Sequence, residues 1–266
     1  MKIGIIGCTG RMGKALIEAV SSNNNCELAG GAVRPNSDFV GMDIGSLAGL
    51  EPVGINSCGS IEDLFDRSDA VIDFSTPEAS LKAASIASEK NKIHVIGTTG
   101  FSPEDKEKLN DYAKEAVIIW SANMSIGVNI IAALTQQVAS ILDDSFDIEI
   151  VEMHHCHKVD APSGTALLLG ESAAKGRDVV LNEVARKSRD GIIGARPRGE
   201  IGFSTIRGGD VVGEHTVMFA GDGERIEITH KASSRKIFAK GALRAALWAK
   251  GKKNGFYSMK DVLVVD

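Results

Sequence analysis

Lys2-Ile-Gly-Ile-Ile-Gly-Cys-Thr-Gly-Arg-Met-Gly13 opens the chain, and Lys14-Ala-Leu-Ile-Glu-Ala-Val20 continues it. Residues 2–6 read as a short apolar strand, residues 7–13 as a glycine loop and residues 14–20 as a helix. Strand, glycine loop and helix in that order is the context a dinucleotide fingerprint requires. The first glycine permits the tight turn and the second lets a pyrophosphate approach the backbone. The third lets the helix pack on the strand, and the helix N-terminus faces the phosphates. The spacing here is G-x-x-G-x-x-G rather than the commoner G-x-G-x-x-G, and a glycine loop by itself is a weak signal. Its place at the start of an α/β pattern favours cofactor binding over a mere tight turn.

The α/β pattern continues. Residues 26–33 read as a second strand, whose end holds the ribose hydroxyls of NAD when it carries Asp or Glu. This chain has Arg34 there, followed by Pro35. Arginine pairs well with phosphate, so Arg34 favours NADPH, or dual use, over strict NADH. A solvated loop arginine is the alternative. Residues 36–50 are glycine-rich and read as loop. Residues 70–74 are a buried-type strand, and Pro77 suits the first turn of a helix over 78–89. Residues 92–96 are the next strand, ending in Gly97-Thr-Thr-Gly100. In an open parallel sheet ligands sit beyond the C-terminal strand ends, which makes 74–76 and 97–99 cofactor-side candidates. Ser102-Pro-Glu-Asp caps a further helix. Residues 117–119 form a strand, closed by Ser121-Ala-Asn-Met-Ser125.

A change of domain is expected where an apolar helical pattern begins, at 126–142. Strand 146–153 alternates with period two and runs into Glu152-Met-His-His-Cys-His-Lys-Val-Asp-Ala-Pro-Ser-Gly-Thr165. Three of the six histidines and a lysine fall within 154–158. Ser163 is an N-cap candidate, so the N–H groups of Gly164 and Thr165 lie at a helix N-terminus. Proton donors and a cation therefore stand beside an anion site. Zinc is not expected. Continued alternation places His155 and His157 on one face and His154 and Cys156 on the other, and no Cys-x-x-Cys pair exists to complete a site. The arginines and lysine of 185–198 read as a solvated loop or a mobile, anion-attracting flap. Strands are expected at 201–206, 210–220 and 225–230 as an antiparallel meander. Ser234 is read as the cap of a helix over 235–250. Chain return to the first domain is expected there, with the tail 261–265 packing against it. The resulting division is 1–125 with 234–266, and 126–233.

The 266 residues suffice for roughly two domains. A hydrophobic content of 43% and a charged content of 24% are ordinary for a soluble protein. The net charge of -5 argues against a general nucleic-acid binder. No apolar run approaches the roughly 20 residues of a membrane span. Cys8, Cys26, Cys58 and Cys156 lack framework spacing, and Met1-Lys2 leads straight into a strand. Reduced thiols, no signal peptide and a cytoplasmic location are the expectation.

Gly7–Gly13, Val95-Ile-Gly-Thr-Thr-Gly100, Ser121-Ala-Asn123, the 152–165 stretch and His230-Lys-Ala-Ser-Ser-Arg235 together resemble the dihydrodipicolinate (4-hydroxy-tetrahydrodipicolinate) reductases of bacterial lysine and diaminopimelate biosynthesis. The resemblance runs almost end to end, and the His-His-x-His-Lys-x-Asp-x-Pro-Ser-Gly-Thr element is its most specific part. It implies an α/β fold with a Rossmann-type parallel-sheet domain and a smaller mixed α/β domain for substrate binding and oligomerisation. It also implies a homotetramer built through the sheets of that second domain, and reduction of a cyclic dicarboxylate by NADPH or NADH. By motif position, His154 resembles the catalytic acid/base and Lys158 the proton donor. His155, Gly164 and Thr165 resemble the substrate-carboxylate ligands, and Arg235 is a further candidate. Gly7, Cys8, Thr9, Gly10, Arg11, Met12, Gly97, Thr98, Thr99, Ser121, Ala122, Asn123 and Met124 resemble the cofactor contacts. Arg34 departs from members with an acidic residue at that position.

The residues suit that chemistry. Loss of water from the hydroxy substrate leaves a conjugated imine, hydride addition puts negative charge on it, and a nearby imidazole or ammonium completes the reduction. No protein metal or covalent nucleophile is needed. Two other readings stay open. One is a dehydrogenase of similar layout acting on an amino acid such as aspartate or homoserine, active without the cyclic substrate. The other is a nucleotide-sensing module that binds NADPH without turnover, which has no use for a proton-donor set beside an anion site.

Overall fold

Apolar residues in the first strand face both ways, and that decides the layering. In β1 (Lys2–Ile6), Ile3 and Ile5 point into one core and Ile6 into another. A strand buried on both faces needs helices above and below it. The structure is a computed structural model and describes residues 1–264. Its contacts divide into Met1–Ile126 with Arg235–Val264, and Gly127–Ser234.

In the first unit β1 is followed by α1 (Arg11–Ser21), β2 (Glu27–Ala32), α2 (Ile44–Ala48), β3 (Ser57–Cys58) and α3 (Ile61–Arg67). Then come β4 (Ala70–Asp73), α4 (Pro77–Glu89), β5 (Ile93–Ile96), α5 (Pro103–Tyr112) and β6 (Val117–Trp120). In α1 the buried positions Gly13, Leu16, Ile17 and Val20 follow the i, i+3, i+4, i+7 rule of one helical face. Ser102 and Asp105 form a reciprocal capping box on α5, with Pro103 in its first turn.

The second unit contains most of α6 (Ile126–Ile141), then β7 (Asp147–His154), α7 (Gly164–Gly176), α8 (Leu181–Val184), β8 (Ala185–Arg186), β9 (Ile201–Arg207), β10 (Gly213–Ala220) and β11 (Arg225–Ala232). The chain ends with α9 (Lys236–Trp248), β12 (Gly255–Tyr257) and α10 (Met259–Leu263), which belong to the first unit. Ala239, Ala242, Ala245, Ala246 and Ala249 of α9 and the residue after it pack in the same core as Ile3, Ile5, Leu16 and Ile17. Small side chains let this helix lie close to the sheet.

The first unit holds a seven-stranded sheet in the order β12-β6-β5-β4-β1-β2-β3, parallel throughout. Strand order reverses between β1 and β4, where a Rossmann-type sheet binds its ligand. The second unit holds a five-stranded sheet in the order β11-β10-β7-β9-β8. Here β10 is antiparallel to β7 and β11, while β7, β9 and β8 run parallel. Ile148 and Ile150 of β7, Val217 and Phe219 of β10, and Phe203 of β9 join Ile131, Leu169 and Ala173 of α6 and α7 in one core. The fold is α/β, with a parallel Rossmann-type sheet and a second, mixed sheet.

Several sequence expectations are corrected. Strands β9, β10 and β11 do not form a meander, because β7 lies between β9 and β10 and pairs with both. The alternation of β7 stops at His154. His155 then donates to the Val211 carbonyl and Lys158 to the His155 carbonyl, so the expected two faces for 154–157 do not arise. Arg235, not Ser234, occupies the N-cap of α9. Residues 36–50 contain α2, whose N-cap Asp43 accepts from Ser46 N–H. The basic segment 185–198 is anchored. Arg186 pairs with Glu200, Arg189 with Glu149, and Arg196 with Asp147, Glu149 and three backbone carbonyls. Of the tail 261–265, α10 covers residues through Leu263, and Val265 lies outside the described residues.

Candidate active site

The glycine loop follows β1 directly. Gly7 sits at φ +73°, a left-handed conformation that a side chain strains. A Cβ on Gly13 would stand 2.2 Å from the Gly7 carbonyl oxygen and 2.6 Å from Cys8 Cα, so the third glycine brings α1 against the loop. Gly10 occupies the N-cap of α1 and offers no side chain to its first N–H groups. Beside the loop is a cavity of about 580 Å³, lined by Gly7, Thr9, Arg34, Phe39, Thr76 and Lys82 among others. This cradle suits a nucleotide: glycine backbone for phosphate, a helix N-terminus and two cations. Lys82 went unnoticed in the sequence because it lies on α4, where it pairs with Glu62 at 3.6 Å.

The other sequence-derived cofactor residues divide by exposure. Thr9, Gly10, Arg11, Met12, Thr99, Ser121, Ala122 and Asn123 are at least partly exposed. Cys8 and Met124 are core side chains, which leaves only their backbone to meet a ligand. Burial pushes the Cys8 thiol up to about 11. Thr98 is buried and works as a joint between strand ends. Its hydroxyl oxygen accepts from Ser75 N–H at 3.0 Å and from the Ser80 hydroxyl at 2.9 Å, and its carbonyl accepts from Trp120 Nε1–H at 3.0 Å. At Gly97 the Phe74 ring fills the space a Cβ would need, approaching to 2.3 Å. The ring is sufficient by itself to require glycine there.

In the second unit the inward phase of β7 runs Ile148, Ile150, Glu152, His154. Two aliphatic residues are thus followed by an acid and an imidazole on the same buried side. Glu152 is only 1% exposed. His154 Nδ1 lies 2.5 Å from Glu152 Oε2. Arg207, at the end of β9, donates to both oxygens of Glu152, at 2.8 and 2.9 Å, and Ser163 N–H donates to Oε1 at 3.0 Å. Burial raises the Glu152 carboxyl, but hydrogen bonds from Arg207, His154 and Ser163 outweigh it and hold the group below its ordinary range. Burial lowers His154, Glu152 partly offsets this, and the Lys158 and Arg207 cations lower it further.

Ser163 caps α7, its oxygen accepting from Ala166 N–H at 3.1 Å. The Ser163 hydroxyl also pairs with His215 Nε2, 3.0 Å away. His215 is buried in phase with Val217 and Phe219 on β10, and its ring meets that of His154 edge to face with centroids 5.0 Å apart. Burial, reinforced by the His154 charge, pushes it down to about 4. Lys158 pairs with Asp160 at 2.8 Å. His155 is half-buried, its ring 6.2 Å from that of His157. Gly164 is exposed at the first turn of α7, and a Cβ there would meet nothing within 4 Å; Thr165 follows, half-buried.

The segment therefore brings His154, Lys158 and the start of α7 into one framework, and it adds Glu152, Arg207 and His215, which sequence reading missed. A signal for two of them existed, since an acid or a histidine in the apolar phase of a strand is expensive to bury unless paired. Glu152, His154 and His215 also present ligand-type atoms within 4.8 Å of one another. The oxygens of Glu152 are already taken by four N–H donors, two of them from the Arg207 guanidinium. The group is a hydrogen-bonded network rather than a waiting ligand set.

Comparison with known proteins identifies the family. A family model described as the dihydrodipicolinate reductase N-terminus matches residues 1–124, and one described as its C-terminus matches residues 127–263. A protein of Agrobacterium fabrum named 4-hydroxy-tetrahydrodipicolinate reductase is 52% identical over 264 residues, covering 99% of this chain and 96% of its own. One of the same name from Parvibaculum lavamentivorans is 52% identical over 267 residues, covering 100% and 98%. A solved structure of dipicolinate-bound dihydrodipicolinate reductase from Paenisporosarcina sp. TG-14 superposes with a TM-score of 0.76 at 26% identity, covering 97% of each chain. A myo-inositol dehydrogenase of Corynebacterium glutamicum shares the fold alone, at a TM-score of 0.61 and 15% identity. Spanning both family models and nearly the full length of these relatives, the chain belongs to the dihydrodipicolinate reductase family.

Proposed function

We propose that the protein reduces 4-hydroxy-tetrahydrodipicolinate to tetrahydrodipicolinate in lysine and diaminopimelate biosynthesis. The observation that carries this is the juxtaposition of His154, Lys158 and the α7 N-terminus on one hydrogen-bonded framework. A bound nicotinamide nucleotide supplies the hydride. Gly7, Thr9, Gly10, Arg11 and Met12, with the backbones of Cys8 and Met124, would hold it, together with 97–99 and 121–123. Arg34 at the cavity wall favours NADPH, with NADH the alternative.

The chain's own residues do the rest. His155 and the first turn of α7 at Gly164 and Thr165 bind the substrate carboxylates. Water leaves the hydroxy substrate to give a conjugated imine, and one hydride and one proton then add across it. Lys158 gives the proton. His154 is the acid/base partner. In this reading residues 1–125 with 234–266 hold the dinucleotide, while 126–233 hold the substrate and the subunit interfaces.

A homotetramer formed through the second sheet suits the face that α6 and α7 leave bare, where Val151, Met153 and Met218 are half-exposed and Ile206 exposed. No helix among the described residues is long and apolar enough to cross a membrane, and the cytoplasm is the proposed location.

The test is oxidation of NADPH and NADH with the cyclic substrate made in situ from pyruvate and aspartate semialdehyde by its synthase. Oxidation that depends on that substrate, and not on aspartate or homoserine, supports the reading. Cofactor binding with no turnover would favour the sensor.

A further inference from the structure

We propose that Glu152 and Arg207 form a positioning unit for the proton-transfer pair, holding His154 with Nε2 as its open ring nitrogen and tethering the segment that carries Lys158. Their role rests on the reading of His154 and Lys158 as proton-transfer groups. An ionised carboxylate only accepts hydrogen bonds, so the 2.5 Å contact makes His154 Nδ1 the donor. With Nδ1 so committed, Nε2 is the nitrogen available for chemistry. A Cβ on Gly213 would stand 3.0 Å from that Nε2, so the glycine keeps this edge of the ring clear.

Arg207 supplies the second half. Its Nη1 and Nη2 hold both oxygens of Glu152, and Nη2 also donates to the Asp160 carbonyl at 2.7 Å. The Asp160 carboxylate pairs with Lys158. One guanidinium thus joins the carboxylate behind His154 to the residues that present Lys158. The segment is further laced to the turn after β9, through Gly208 N–H to the His154 carbonyl at 2.9 Å and His155 N–H to the Val211 carbonyl at 2.8 Å. A buried ion pair is a poor source of stability, since apolar residues of like volume do as well. A pair that also fixes a histidine tautomer has a use that apolar residues cannot replace.

Four charged or titratable groups face His154: Glu152 on its own strand, Arg207 from β9, His215 from β10 and Lys158 from the segment that follows. Glu152 alone favours the imidazolium. Glu152→Gln leaves only groups that disfavour it, so the alkaline limb of kcat/KM moves to lower pH by about 1 unit or more. In the same variant kcat falls at least about 10-fold, within the roughly 10²- to 10⁴-fold that proton transfer contributes. Nitrogen NMR of labelled histidine reads the tautomer directly: His154 is protonated at Nδ1 in the wild type and mixed in the variant.

A loss of stability alone would lower activity without moving the limb or the tautomer. If Glu152→Gln does not fold, Arg207→Lys keeps a cation beside the carboxylate but cannot hold both oxygens and reach Asp160. It is expected to keep the limb in place while kcat falls about 10-fold or more, and wild-type kcat there overturns the tether. An unmoved limb and an unchanged His154 signal in folded Glu152→Gln, with His154→Asn inactive, overturns the positioning unit while leaving the proposed function standing. Wild-type turnover in His154→Asn overturns the reading beneath it and the unit with it.

Discussion

Replacing His215 with glutamine should flatten the acid side of the stability profile. His215 is buried beside His154 and hydrogen-bonded to the Ser163 hydroxyl, and burial pushes its imidazole down to about 4 from 6.5. A histidine whose folded value lies below its unfolded one binds fewer protons in the folded chain. Stability therefore rises with pH between the two values and is lost as pH falls from about 6.5 towards 4. At about 1.4 kcal/mol per pH unit the full effect is about 3 kcal/mol, of which about 2 kcal/mol is spent by about pH 5. A glutamine amide can pair with the Ser163 hydroxyl in either direction and carries no titrating group. The assay is urea unfolding of wild type and His215→Gln, each at about pH 7.5 and about pH 5, with stability extrapolated to water. Other carboxylates and histidines titrate in both chains, so they largely cancel in the comparison. The wild type should lose about 2 kcal/mol more than the variant between the two pH values. Equal losses would refute the assignment of His215 as a buried, neutral imidazole.

Three further outcomes are expected. Arg34→Glu should shift preference from NADPH towards NADH, read as the ratio of the two kcat/KM values; an unchanged ratio removes Arg34 from cofactor selection. Gly13→Ala places a methyl 2.2 Å from the Gly7 carbonyl oxygen, which cannot yield as a flexible side chain would. It should cost about 1–3 kcal/mol or more and weaken NADPH binding, as calorimetry would show. Phe219→Ala opens the core of the second sheet at a fully buried ring, and thermal unfolding should report a loss of about 3–5 kcal/mol.

Local pattern made much of the fold legible. The glycine loop, the α1 face and the strands ending at Asp73, Ile96 and Trp120 are short-range signals, and each was readable from its own neighbours. The alternation of β7 and the Ser163 cap likewise located the stretch with His154 and Lys158. What stayed hidden depends on pairings between distant residues. Insertion of β7 between β9 and β10 leaves no trace in either strand's own sequence. Arg207 is 55 residues from Glu152, so a hydrophilic arginine at a strand end looked unremarkable until the fold placed it. The arginines of 185–198 looked solvated because their partners Asp147 and Glu149 lie on the outward phase of β7, far away in the chain. Helix α2 was masked by glycines, although Asp43 caps it and also gathers N–H groups from Val53, Gly54 and Ile55.

Proton transfer by the segment after β7 stands or falls with the Lys158→Ala variant. Lys158 is mostly buried but pairs with the half-exposed carboxylate of Asp160, a pair worth at most about 1 kcal/mol. The fold should survive with a melting point lowered by only about 2–4 °C. In the NADPH oxidation assay with the cyclic substrate, turnover should fall about 10²- to 10⁴-fold while NADPH still binds. Wild-type turnover by the folded variant would contradict the claim and remove Lys158 from the mechanism.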